Sequence, residues 1–368
     1  MKIKLTLGLV LLVHLALAQN PTNFWSDVSD DNVLLPRAGE RDIKATNYRT
    51  VSLALEQLKA SLQSAPLELT GAARRRALQL DFPMPDGSMK TFAVVESPIM
   101  EPGLAARYPS IKTFKGTGIE DRSETIRFGY TDRGLHAAIQ TRDGQIFIDP
   151  LATSQTKYYQ IYHTRHAITA DAAGELTCGV PPAGTERHAT DESVVEDRPL
   201  LRRENNDALN LHTYRLAVTT SGEFAQRFGA TTKAEVMTRV VDILNRANAV
   251  FETDVAIRLV LVDNTDAVFF LDSEDDPFTD GASVEDSYTQ IPAVLDANIG
   301  QENYDVGHGL VALCGSGVIG IGGGDACKDT GRDNRTYKGF GISCMLNISA
   351  SSIEVFAHEL GHQFSAAD

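Results

Sequence analysis

The sequence predicts an α/β domain preceded by a β-rich one, and three observations carry that prediction. Between Pro85 and Tyr162, short runs of β-forming residues are separated by Asp-Gly and Arg-Gly turn signals. Between Ala167 and Asp207 the apolar periodicity stops, and Ala, Gly, Pro, Asp and Glu take over. Beyond Leu211, strand-like and helix-like runs alternate, which is an α/β pattern. The expected organisation is a leader at 1–18, a β-rich domain with an N-terminal helix at 19–166, a linker at 167–208 and an α/β domain at 209–368.

In chain order, Val51, Leu55, Leu58 and Leu62 recur at helical spacing and predict one amphipathic helix. Pro85-Asp86-Gly87 precedes an extended run at Thr91 to Val95, and Thr125 to Tyr130, Leu135 to Thr141, Gln145 to Ile148 and Lys157 to Tyr162 are likewise strand-like. Asp132-Arg133-Gly134 and Arg142-Asp143-Gly144 are the hairpin turns between them. After the linker, Leu211 to Thr219 predicts a strand. Lys233 to Phe251 carries Val236, Val240, Ile243, Ala247 and Val250 at helical spacing. A strand at Ala256 to Val262, a helix at Val284 to Ile299, a strand near Val306 to Leu313 and a Gly-rich stretch at Gly315 to Gly324 lead to the last helix.

That last helix carries His358-Glu359-Leu360-Gly361-His362, the pattern HExxH. Residues four apart share a helix face, so the two imidazoles can grip one metal ion while Glu359 stands beside it. Zinc on neutral imidazoles lowers the pKa of its water toward ~7, and an adjacent carboxylate can take the proton during attack on a peptide carbonyl. Ile353, Phe356, Ala357 and Leu360 form an apolar stripe that anchors the helix, and Ser351 and Glu354 read as its start. The bland alternative is a histidine pair on a solvated or core face.

Met1 to Ala18 combines Lys2 and Lys4, an apolar run from Leu5 to Leu17, and Ala16-Leu17-Ala18 before Gln19. It reads as a signal peptide, which makes the protein secreted. Its apolar run is shorter than the ~20 residues a membrane span requires, and no later stretch approaches that length, so no membrane span is expected. A formal charge of -15 argues against nucleic acid or anionic lipid as partners, and 42% hydrophobic residues are ordinary for folded chains.

Asn303-Tyr304-Asp305-Val306-Gly307-His308 and His358-Glu359-Leu360-Gly361-His362-Gln363-Phe364 resemble the metzincin zinc endopeptidases, and within them the bacterial reprolysin-like proteins related to snake-venom and ADAM proteases. The likeness covers roughly Leu211 to Asp368. It implies a twisted, mostly parallel sheet with two long helices above a substrate cleft, a Zn2+ cofactor, a protein or peptide substrate, and a structural role for His308. In the family pattern HExxHxxGxxH a Gly lets the helix turn so that a third His reaches zinc. Here Ser365 stands at the Gly position and Asp368 at the third-ligand position. A carboxylate oxygen binds zinc at ~2.0–2.2 Å, so Asp368 is either the third ligand or a frayed terminal carboxylate. A bend at Ser365 is expected to need no positive φ. In metzincins a Met-containing turn and a further helix follow. The resemblance thus implies a catalytic domain missing its C-terminal part, and the rival reading is an inactive, truncated remnant with a binding or structural role.

Cys178-Gly179-Val180-Pro181, upstream of the α/β domain, resembles the cysteine-switch segment of matrix metalloproteases and reprolysins. A thiolate is a strong zinc ligand, so Cys178 would displace the catalytic water and make the N-terminal part an inhibitory propeptide. The competing reading is structural: the four cysteines of an exported chain form disulfides, with Cys314, Cys327 and Cys344 an odd set whose leftover member pairs either with Cys178 or with a cysteine of the missing C-terminal part. Arg202-Arg203 offers a weak processing signal, Asn334 and Asn347 head glycosylation sequons, and the Asp272 to Asp276 run reads as a solvated acidic loop.

Overall fold

The structure, a computed structural model, describes residues 22–29, 31, 33, 45–152, 155–167, 177–178, 211–278, 284–312, 318–323, 325–329, 337–348 and 350–366. The leader, Arg202-Arg203, Asn334 and all of the predicted linker except Ala167 and Thr177–Cys178 lie outside the described residues. Among the described residues no helix is long and apolar enough to cross a membrane.

The N-terminal part is a nine-stranded antiparallel sheet in the order β1-β2-β9-β8-β7-β6-β5-β4-β3. Its strands are β1 (Trp25–Asp27), β2 (Arg49–Leu53), β3 (Leu78–Pro83), β4 (Met89–Glu96), β5 (Lys112–Gly118), β6 (Thr125–Thr131), β7 (Gly134–Thr141), β8 (Gly144–Pro150) and β9 (Tyr158–His163). Three helices accompany them: α1 (Leu55–Leu62), α2 (Gly71–Arg76) and α3 (Pro102–Arg107). Gly134 and Gly144 adopt φ of 109° directly after the two-residue turns, which closes the hairpins where the Asp-Gly and Arg-Gly signals place them. The sheet curls until its edges meet: Asp81 N–H donates to the Thr22 carbonyl at 2.9 Å, and the Trp25 and Phe82 rings lie 6.2 Å apart. Inside, Phe82, Phe92, Phe128, Ile139, Ile148 and Ile161 form one apolar core.

One reading of the sequence is corrected here. Val51 belongs to strand β2, opposite Tyr159, and not to the helix, which begins at Leu55. Val51 is fully buried by strand pairing, and a β-branched residue four positions before Leu55 mimics helical spacing. Strands β1, β3 and β5 were not foreseen.

The C-terminal part holds a six-stranded sheet in the order β10-β14-β15-β13-β11-β12. The strands are β10 (Thr177–Cys178), β11 (His212–Thr220), β12 (Ile257–Leu261), β13 (Val306–Val311), β14 (Val318–Gly322) and β15 (Gly341–Cys344). All pairs are parallel except β14 with β15. After the short α4 (Gly222–Arg227), α5 (Lys233–Asp254) opens with a capping box, in which Thr232 and Glu235 satisfy each other's backbone N–H groups. Helix α5 and α7 (Ala350–Gln363) share an apolar cluster with Leu216, Val218 and Leu310 on one face of the sheet. Helix α6 (Val284–Asn298) packs on the opposite face with Ala217 and Ile342.

Both faces of the N-terminal sheet are used. Along β6 and β8, Ile126, Phe128, Ile146 and Ile148 point into its core, while Arg127, Phe147 and Asp149 turn outward. The outward residues meet α5: Arg127 reaches Asn245 at 2.9 Å, Arg246 pairs with Asp149 at 2.9 Å, and Phe147 packs with Ala249 and Ile353.

Candidate metal centre

Helix α7 presents Phe356 and Leu360 to the cluster shared with α5, and Ile353 to Phe147 and Ala249, which turns His358, Glu359 and His362 toward strand β14. Close approach there depends on glycine. A Cβ on Gly320 would lie 2.5 Å from Glu359 Cγ, and one on Gly322 would lie 2.6 Å from His362 Cβ. Neither glycine has a positive φ, so what these positions need is an absent side chain, not a left-handed backbone.

The far end of α7 is pinned by His308, fully buried on β13. Its Nδ1 lies 2.8 Å from Gln363 Oε1 and its Nε2 2.9 Å from Ser343 Oγ, while Gln363 Nε2 donates to the Gly307 carbonyl at 2.8 Å. Burial pushes the His308 pKa down to about 4, so the ring is neutral and structural, as the sequence implied. A Cβ on Gly341 would lie 2.5 Å from His308 Nδ1, so this strand too is cut back for the helix.

The helix ends in a Schellman turn. Ser365 N–H donates to the His362 carbonyl at 2.9 Å and Ala366 N–H to the Gly361 carbonyl at 3.0 Å. Ser365 takes φ of 66°, so the expectation that a bend here needs no positive φ is wrong: the motif places its fifth residue in the left-handed region whatever the side chain. The turn has a use at the site. It brings the Ala366 carbonyl to 3.0 Å from His362 Nδ1, which fixes the proton on that nitrogen and leaves Nε2 as a lone-pair donor.

His362 Nε2 and His358 Nε2 converge to 2.9 Å, with the rings nearly perpendicular at 85°. Cys178, half-buried on β10, puts its Sγ 3.6 Å from His362 Nε2 and 3.4 Å from Glu359 Oε2. The donor atoms of Cys178, His358 and His362 all lie within 4.8 Å of one another. A tetrahedral ion with metal–nitrogen distances of ~2.0–2.1 Å and metal–sulfur of ~2.3 Å imposes nitrogen–nitrogen and nitrogen–sulfur separations of about 3.3 and 3.5 Å. The donor set therefore fits a divalent metal ion. Strand β10 delivers the thiol by pairing with β14, Thr177 opposite Val318 and Cys178 opposite Gly320.

Of the residues singled out from sequence, His358, Glu359, His362 and Cys178 come together, and Asp368 lies outside the described residues. Cys178 and Cys327 are thiols and Cys344 is disulfide-bonded, so among the described cysteines the disulfide reading for Cys178 does not hold. Cys314 lies outside the described residues. Sequence reasoning assigned nothing to Gln363, Ser343, Gly320 or Gly322. The G-x-G repeat at strand period was the available signal for the two glycines.

The model of metallo-peptidase family M12B, reprolysin-like, matches residues 210–368. The solved structure of metalloproteinase-II from Bacteroides fragilis is similar at 13% identity and a TM-score of 0.39, over 82% of this chain and 86% of that one. A comparison with curated proteins finds no match. Residues 210–368, from β11 to the His-Glu-His helix, are thus similar to the reprolysin-like M12B metallopeptidases.

Proposed function

We propose that this chain is a secreted zinc-dependent endopeptidase made as an inactive precursor, with residues 1–18 as its signal peptide and 19–166 as its propeptide. His358 and His362 hold the zinc, Asp368 is the third protein ligand, Glu359 is the general base and Cys178 is the inhibitory switch. The single observation that supports this most is the placement of the Cys178 thiol within reach of both the imidazole pair and Glu359. A protein with no catalytic water to block has no need of such a contact.

Bound by these residues, zinc supplies Lewis acidity toward a water and toward the scissile carbonyl. The chain's own groups do the rest. Glu359 accepts the proton of the attacking water and returns it to the departing amine, and its burial against Gly320 holds it in one orientation. The Ala366 carbonyl keeps His362 in the tautomer that presents Nε2. The edge of β14, paired with β10 in the precursor, becomes available to an extended peptide once β10 leaves, and backbone hydrogen bonds then align the substrate. The formal net charge of -15 is in keeping with a peptide and not a nucleic acid as substrate.

The rival, an inactive remnant, rested on where the chain ends; the convergence of a metal-binding donor set on a general-base carboxylate favours the catalytic reading. The test is Glu359→Gln in the processed protein. Zinc content should stay at wild type while casein cleavage falls about 10²- to 10⁴-fold. Undiminished cleavage sinks the base assignment, and a wild-type protein without zinc sinks the whole reading.

A further inference from the structure

A cavity of about 270 Å³ opens between strands β5 and β6 and the last turn of α5. Its floor is the outward face of the N-terminal sheet. Lys115 stands directly opposite Arg127 across the two strands, and Thr117 opposite Thr125 is the next pair on the same face. Ala249 and Glu252 of α5 form one wall; Leu211 and Ala256, which precede β11 and β12, form another. None of these residues belongs to the cluster of Cys178, His358 and His362.

Like charges facing each other across a strand pair repel, so Lys115 and Arg127 need counter-charge. Two carboxylates supply part of it. Glu68 lies 2.6 Å from Lys115 and 2.7 Å from Arg258, and Glu252 meets both Arg127 and Arg258. The cluster thus sets three cations, Lys115, Arg127 and Arg258, against two anions, and is short of one negative charge. Burial alone would raise the Glu68 carboxyl, yet hydrogen bonds from Arg258, Lys115 and Ser97 hold it down to about 2. Arg127 is 2% exposed; its Nη1 donates to Asn245 and its Nη2 to Ser97 and Glu252, while its buried Nε has no partner. An unmade hydrogen bond on a buried cation costs stability, and burial pulls the Arg127 pKa below the usual guanidinium range.

The end of α5 does not cancel this charge. A helix C-terminus contributes about half a negative charge. One of its carbonyls, that of Ala249, is taken by the Thr253 hydroxyl at 2.8 Å, and Asp254 is exposed to solvent. What remains is a positive cavity with an apolar side, where Leu211, Ala249 and Ala256 present carbon. A halide would answer the charge and leave the carbon uncovered; a hydrocarbon would do the reverse. A carboxylate with a short apolar tail meets both.

We propose that this cavity is a binding site for a small monocarboxylate of the size of hexanoate, its oxygens received by Arg127 Nε, Lys115 and the hydroxyls of Thr117 and Thr125, and its tail lying against Leu211, Ala249 and Ala256. Lys115 keeps donors for the task, because an ammonium carries three and Glu68 takes one. The site is assembled by β5 and β6 together with α5 and the segments before β11 and β12, so it belongs to the intact chain. It stands apart from the peptidase reading, with which it shares no residue.

The experiment titrates the full chain in a calorimeter. Hexanoate is the probe, with hexanol and hexylammonium as its uncharged and cationic counterparts and chloride at matched ionic strength. Hexanoate should bind one site with a Kd of about 1 mM and raise the melting temperature saturably; the three controls should do neither. Lys115→Met, which removes the charge at a half-buried position, should weaken binding about tenfold. Thr117→Phe, which fills the cavity from the sheet, should abolish it. Should Thr117→Phe disturb folding by circular dichroism, Lys115→Met decides alone. Absence of hexanoate binding, an equal response to hexanol or to chloride, or binding unaltered in Lys115→Met overturns the proposal. Since no cleavage is measured, that failure leaves the peptidase reading untouched.

Discussion

Glycine serves opposite ends in the two sheets. In the N-terminal sheet Gly87, Gly134 and Gly144 sit in turns with φ between 94° and 109°, and Gly87 has no atom within 4 Å of where a Cβ would be. In the C-terminal sheet Gly320, Gly322 and Gly341 have ordinary strand backbones, yet a Cβ on any of them would collide with α7. The first set bends the chain; the second lets a helix bearing chemistry approach a strand edge. The N-terminal sheet has close-packed strand glycines too, Gly116 against Ile126 and Gly118 against the Asp121 carbonyl, but those serve its own packing, whereas Gly320, Gly322 and Gly341 make room for a helix that bears chemistry.

That contrast can be broken most forcefully at Gly320. Gly320→Ala should displace the Glu359 side chain and cut peptide cleavage by roughly 10²-fold, since a shift near 1 Å at a catalytic group has that effect, while zinc content is kept. Retained activity would mean that Glu359 is not held by this contact. By comparison Gly87→Ala, in the left-handed region but in open space, should cost about 1 kcal/mol of stability and leave activity untouched; a denaturant titration beside an activity assay separates the two.

The pH dependence of stability sharpens the same comparison, because His308 exists only in the sheet that carries α7. Its folded pKa of about 4 lies below the unfolded value of 6.5, so the unfolded chain binds the proton more readily. The stability it contributes is full above about pH 6.5 and is lost as pH falls toward 4, up to about 3 kcal/mol. Urea midpoints measured across that window should fall with acid in the wild type and flatten in His308→Gln. An unchanged slope in the variant counts against a neutral, buried ring.

The smallest effect has the opposite sign. Ser365 is forced to φ of 66° by the Schellman turn, so Ser365→Gly should stabilise the protein by about 1 kcal/mol and raise its melting temperature. Destabilisation would indicate that the Ser365 hydroxyl, 3.5 Å from Asp325 Oδ1, matters more than the backbone strain.

Much of this was legible in the sequence, for identifiable reasons. Hairpins β6–β7 and β7–β8 announced themselves through local turn chemistry, and α5 through the apolar period from Lys233 to Phe251. The pair His358 and His362 was legible because four residues return a helix to the same face. Strand β15 was not, since its four residues gain their meaning from His308 and α7, far away in sequence. The same holds for Gln363, whose partners lie on β13, and for Ile99 to Arg107, which carry no signal of binding a strand 160 residues downstream. Val51 misled because a buried strand residue and a helical one can share a spacing with their neighbours.

The central claim is that Cys178 and the two histidines hold one zinc ion in the precursor, and X-ray absorption at the zinc edge of the full chain tests it directly. The account predicts stoichiometric zinc with one sulfur at ~2.3 Å and nitrogen or oxygen neighbours at ~2.0–2.1 Å, the sulfur vanishing in Cys178→Ser while the zinc remains. A zinc shell without sulfur in the uncut wild type, or a protein that binds no zinc, contradicts it.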